Sequence, residues 1–66
     1  MELIINGGPR QFSAGLSVAA LVEALGYTGK RIAIERNGEI VPRGLHAEVE
    51  LVAGDRLEIV VAVGGG

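Results

Sequence analysis

The sequence predicts an α+β fold: a mixed sheet of four to five strands with one main helix packed across it. Three observations carry this. The chain opens and closes on β-branched runs, "ELIIN" at 2–6 and "LEIVVAV" at 57–63. Between them only "SVAALVEALG" at 17–26 has helical spacing. Tight-turn signals, "NGGP" at 6–9, Asn37-Gly38 and "AGD" at 53–55, cut the remainder into short pieces.

Each element has its reason. In the first strand Leu3 and Ile5 share one face, and Glu2, Ile4 and Asn6 share the other. Glycine supplies the positive φ of a hairpin and Pro9 cannot donate to a ladder, so 6–9 reads as a turn and "RQFS" at 10–13 as the return strand. Ser17 is placed to cap the helix, and Val18, Leu21, Val22 and Leu25 fall at i, i+3, i+4 and i+7. Gly26 stands where a left-handed C-cap belongs. A helix this short is marginal alone, so its apolar stripe must lie on a sheet. "RIAIER" at 31–36 alternates Ile32 and Ile34 against Arg31, Ala33 and Glu35, and "EIV" at 39–41 returns across Asn37-Gly38. Pro42 ends regular pairing. Residues 43–50 read as a loop or short turn, with Val49 and Leu51 reaching the core. In the last strand Leu57, Ile59, Val61 and Val63 are expected to face the helix, leaving Val60 and Ala62 on the open face beside Ile4.

The order β-β-α-β-β-β, a hairpin, a helix across it and further strands in the same sheet, is the β-grasp or ubiquitin-like arrangement. Its crossover is expected to be right-handed. The first and last strands, the most apolar, are expected to be central, adjacent and parallel. Residues 1–63 then form a single domain. Residues 64–66 form a flexible glycine tail at one edge of the sheet, projecting into solvent.

Composition narrows the functions available. A chain of 66 residues is one domain. At this size folding buries only about 60% of the unfolded chain's surface, so stability is thin. There is no cysteine to add a disulfide or a thiolate zinc site. Net charge is −2 with the basic residues scattered, and Phe12 and Tyr27 are the only aromatics, which disfavours a nucleic-acid surface. The longest apolar run, Ile59 to Val63, is far shorter than the roughly 20 residues of a membrane span. No basic region precedes an apolar stretch at the N-terminus, so a cytoplasmic location is expected.

Candidate chemistry is scarce. His46 is the sole histidine and has no acid or base partner at a recognisable spacing, so no catalytic residues and no metal site are expected. Gly29-Lys30 fails as a phosphate loop, because Ala24 and Arg31 stand where glycine and Ser or Thr are required. What remains is "GGG" at 64–66. Glycine backbone enters channels too narrow for any Cβ. Three glycines extend about 10 Å, enough to carry a carboxylate into another protein's active site. ATP could convert that carboxylate to an acyl-adenylate, which a sulfur or nitrogen nucleophile could then attack.

The sequence resembles the sulfur carrier proteins of thiamine biosynthesis over its whole length. "INGGP" at 5–9, "ERNGEIVPR" at 35–43 and "AGDRLEIVVAVGGG" at 53–66 carry the resemblance. His46 stands at about the place where that family often has Trp. The resemblance implies a protein co-substrate, not an enzyme. An E1-like activating enzyme would adenylate the Gly66 carboxylate with ATP. A sulfur donor such as a cysteine desulfurase would convert it to a thiocarboxylate. A thiazole synthase would take the sulfur for the thiazole ring of thiamine. Gly64, Gly65 and Gly66 would thread into the partners' active sites. No bound cofactor, nucleic acid or membrane is expected, and the free protein is expected to be monomeric.

The residues add a docking surface to this reading: Ile4, Val60 and Ala62 as an apolar centre on the open face, with Arg56 and Glu58 at its rim. The nearest rival reading is the small subunit of molybdopterin synthase or another ubiquitin-like carrier or protein modifier. The distant one is a β-grasp binding module with an inert tail.

Overall fold

A computed structural model describes residues 1–62. The expectations for Val63 and for the glycine tail lie outside the described residues. The element order is β1 (Glu2–Ile5), β2 (Gly8–Gln11), α1 (Val18–Ala24), β3 (Ile32–Arg36), β4 (Glu39–Ile40), a 3₁₀ turn (Arg43–Leu45) and β5 (Arg56–Val61). The five strands form one sheet in the order β2-β1-β5-β3-β4. β5 is central, parallel to β1 and antiparallel to β3. This is the expected β-grasp, with the last strand placed between the two hairpins.

The core lies between sheet and helix. Leu3, Ile34, Leu57 and Ile59 from the strands meet Val18 and Leu21 from α1, and Val41 and Leu51 close the sides. Burying one such side chain stabilises the fold by about 1.5–3 kcal/mol. Leu51 is buried as expected, and half-buried Val49 packs against the same cluster.

Several boundaries shift by a residue or two, and β2 differs most, running Gly8–Gln11 where 10–13 is expected. β2 begins at Gly8, so Gly8 and Pro9 belong to the strand. The cause is a two-residue turn: Asn6 (φ 49°) and Gly7 (φ 84°) are both left-handed, as a primed hairpin turn requires. Pro9 is tolerated because β2 is an edge strand. Phe12 N–H donates to Met1 O, and ladder alternation turns the backbone nitrogen of Pro9 outward. At the other end, β5 stops at Val61, although Ala62 N–H still donates to Arg31 O at 2.9 Å.

α1 is fixed at both ends. Ser17 Oγ accepts from Ala20 N–H at 3.0 Å, while Val18 and Ala19 donate to the carbonyls of Val49 and His46. The helix's free first-turn donors are thus taken up by the 43–50 segment and the cap. At the C-terminal end Leu25 is the cap residue and Gly26 has φ 80°. Gly26 N–H donates to Glu23 O and Tyr27 N–H to Val22 O, which makes a Schellman motif.

Candidate functional site

The feature to be positioned is the end of β5, because the glycines follow it in sequence. A central strand is held from both sides, and here each flanking hairpin contributes an asparagine as well as a ladder. β1 pairs only as far as Ile5 with Leu57. Beyond that point Asn6 continues the contact with its side chain. Its Nδ2 donates to Ile59 O at 3.1 Å and its Oδ1 accepts from Ile59 N–H at 2.7 Å. The carboxamide acts as one more peptide group of the ladder.

The start of β5 is held by Asn37 and Asp55. Arg56 N–H donates to Asn37 Oδ1 at 2.9 Å, and Asn37 N–H donates to Arg56 O at 2.8 Å. Asp55 is only 5% exposed. Its Oδ2 accepts from Arg36 Nε and from Val52 N–H, both at 2.9 Å, and its Oδ1 accepts from Asn37 Nδ2 at 3.0 Å. Burial alone would push the Asp55 carboxyl up. The hydrogen bonds from Val52, Asn37 and Arg36, with the Arg36 charge, outweigh it and hold the group below its ordinary value.

The open face carries the predicted docking residues in a changed arrangement. Arg56, Glu58 and Val60 are exposed and alternate with buried Leu57 and Ile59. Val60 is 65% exposed, and exposed Ala62 follows it. Ile4, however, lies opposite Arg56, not beside Val60. Val60 is four residues further along β5, about 13 Å away at strand rise. The apolar centre is therefore divided. Val60 pairs with Ala33 of β3, close to the exit of the chain, while half-buried Ile4 pairs with Pro9 at the other end. Between them Glu58 faces Glu35 directly across the strands. Ala33 was legible as an outward residue of its strand, but its place beside Val60 depends on the register of β3 on β5.

His46 is half-buried, and its Nε2 lies 3.2 Å from Val41 O, which fixes that nitrogen as the donor. Its backbone carbonyl receives Ala19 N–H. The side chain thus ties the end of the 3₁₀ turn to the end of β4, and the backbone carbonyl ties it to the start of α1. Among the described residues no three His, Asp or Glu side chains converge as a metal site, and no helix is long and apolar enough to cross a membrane. The roles expected for Gly64, Gly65 and Gly66 fall outside the described residues.

Comparison with known proteins gives a consistent result. The model of the ThiS family matches residues 3–66. A thiazole synthase of Paramagnetospirillum magneticum is 50% identical over all 66 residues, which span 20% of that protein. The chain thus spans about a fifth of the length of that relative and of a second thiazole synthase, from Magnetococcus marinus, at 36% identity. An uncharacterized protein ycf40 of Porphyra purpurea is 39% identical over the whole chain and 93% of its own length. The crystal structure of a thiamine biosynthesis protein (ThiS) from Geobacter metallireducens superposes with a TM-score of 0.85 at 30% identity, covering 100% of both chains.

Proposed function

Because the chain belongs to the ThiS family, we propose that it is a sulfur carrier of thiamine biosynthesis and not itself a catalyst. The observation that carries this is the family match through the terminal glycines to residue 66. In this reading an oxygen of the Gly66 carboxylate attacks the α-phosphorus of ATP on an activating enzyme, and pyrophosphate leaves. A persulfide sulfur of a donor such as a cysteine desulfurase then attacks the acyl carbon and AMP leaves, giving an acyl disulfide. A second thiol attacks the donor's sulfur, forms a disulfide with it and releases the Gly66 thiocarboxylate. The resulting thiocarboxylate gives its sulfur to the thiazole ring.

The chain's own residues supply a rigid handle. Asn6, Asn37 and the Asp55 network fix β5 between its neighbours, so residues 63–66 continue from a held strand. Gly64, Gly65 and Gly66 then fit channels that would reject a side chain. Val60, Ala62 and Ala33 at the exit form the nearer docking contact, with Glu58, Arg56 and Ile4 further along the same face. A thiazole synthase as receiving partner is supported by the two relatives of that name, each with a region similar to the whole chain. Joining such regions in one polypeptide raises the effective concentration of each for the other.

The test is a mass measurement. The chain is incubated with the activating enzyme, ATP and a sulfur donor, then cleaved with trypsin after Arg56. The peptide from Leu57 to Gly66 contains neither Met nor Cys, so a gain equal to sulfur replacing oxygen is separable from oxidation by accurate mass. Sulfur on Gly66 is the expected result. An unmodified peptide with every component present overturns the reading. Deleting Gly65 and Gly66 separates a carrier from a binding module: a carrier loses sulfur transfer, whereas a module keeps its affinity.

A further inference from the structure

A groove of about 580 Å³ lies on the helix side of the sheet, between α1, the 27–31 segment and the Arg43–Leu45 turn. The Schellman end of α1 builds one wall, because it turns Tyr27 back against Val22 and leads residues 28–31 along the groove. Lys30, Arg31 and Arg43 line it and are exposed; half-buried His46 lines it too. Glu23 is its one carboxylate. Three of the chain's six Lys and Arg thus share a groove with one of its eight Asp and Glu, a local charge of +2 on a chain of net −2. The one ion pair among the described residues, Arg36–Asp55, lies at the other end of β5.

The groove also has a telling position. Arg31, one of its cations, accepts the hydrogen bond of Ala62, the last described residue. An enzyme that takes in the glycines therefore has its surface beside this groove. Its cations sit on long exposed side chains spread around an open trough. That layout suits several carboxylates along a polypeptide, whereas a phosphate site gathers donors onto one group. We propose that the groove docks a segment of the activating enzyme rich in Asp and Glu, and that Lys30, Arg31 and Arg43 steer the carrier to that enzyme. This rests on the carrier reading above and adds the chemistry of the partner surface.

The experiment compares association kinetics with the activating enzyme at low and high salt for the native chain and the variant Lys30→Glu, Arg31→Glu, Arg43→Glu. Long-range attraction of opposite charges raises association rates by about 10- to 1,000-fold. The expected result is an on-rate at least about tenfold lower in the variant at low salt, converging with the native rate as salt screens the charges. Should the triple variant fail to fold, Lys30→Glu against Arg10→Glu decides. The two carry equal net charge, and Arg10 lies on β2, away from the groove. Equal on-rates for that pair, or a triple variant that folds and associates within about twofold of native at low salt, overturn the proposal. So do ATP-induced chemical-shift changes at Lys30, Arg31 and Arg43 without the enzyme, which would mark a phosphate site. Adenylation of the native chain in those cases leaves the carrier reading standing. Its absence removes both.

Discussion

The side chain of Asn6 pairs with both backbone polar groups of Ile59, 53 positions away, at 3.1 and 2.7 Å. β1 ends at Ile5, so without this carboxamide the outer part of β5 would lose its partner on one side. Two requirements meet at one residue, because Asn6 must also adopt φ 49° for the hairpin. Asparagine tolerates that conformation better than most residues.

The two requirements separate by mutation. Asn6→Gly keeps the turn and loses both hydrogen bonds, while Asn6→Ala loses the bonds and adds left-handed strain. Leaving a donor and an acceptor unpaired costs about 1–3 kcal/mol per group, moderated here by partial exposure. The strain of alanine adds about 1–2 kcal/mol. Denaturant unfolding should rank native above Asn6→Gly above Asn6→Ala. Amide exchange at Ile59 should accelerate in both variants. Native-like protection of Ile59 in Asn6→Gly would show that the carboxamide is dispensable.

Asp55 makes stability depend on acid. Its folded pKa lies below its unfolded one, although burial by itself acts in the opposite direction. The folded state therefore binds the proton less readily than the unfolded state. The stabilisation is complete above the ordinary carboxylate range and is lost as pH falls through the folded pKa. Asp55→Asn should unfold at lower denaturant at neutral pH, by about 1.5–3 kcal/mol for hydrogen bonds to a charged group. It should also flatten the acid limb of the stability curve. The asparagine amide would turn an N–H toward Asn37 or toward Arg36 and Val52, all of which donate. An acid limb identical to that of the native chain would assign the pH dependence elsewhere.

Gly26 isolates a conformational effect. A Cβ added there meets nothing within 4 Å, so Gly26→Ala introduces no clash. Its φ of 80° still penalises alanine, and the expected loss is about 1–2 kcal/mol. Asparagine at this position should cost less. The sensitive observable is the Tyr27 ring environment, because Tyr27 N–H closes the Schellman motif on Val22. Thermal unfolding with Tyr27 fluorescence checks both.

What the sequence revealed follows the range of its signals. The two periodicities placed the buried faces, since Leu3, Leu21, Ile34, Leu57 and Ile59 are all core residues. Ser17 and Gly26 marked the helix ends through local capping chemistry. The first hairpin turn has two residues where "NGGP" suggests four, because proline favours turns and only the edge position of β2 makes Pro9 acceptable in a strand. The separation of Ile4 from Val60 had no local signal. It is set by the register of strands some 50 positions apart, and no short stretch encodes that. Asn6 and Asn37 were legible as turn residues, but not as clamps, since a clamp requires knowing that β5 runs between the two hairpins.

Val60 tests the open face against the core within one strand. It is 65% exposed and its cross-strand neighbour is Ala33, so Val60→Asp removes little packing. Surface changes of this kind stay within about 0.5 kcal/mol. The carboxylate would nonetheless join Glu58 and Glu35, already facing each other on that surface, and charge the apolar exit. Val60→Asp and Ala62→Asp should therefore keep a near-native unfolding transition and, on the carrier reading, weaken binding to the proposed activating enzyme and thiazole synthase. Leu57→Ala supplies the contrast. Leu57 is 1% exposed, and its truncation should cost about 2–5 kcal/mol and lower the transition itself. Ile4→Asp distinguishes the ends of the face: with Ile4 about 13 Å from Val60 along the strands, its effect on binding should be the smaller. Sulfur transfer at the native rate in Val60→Asp would remove the exit patch from the docking surface.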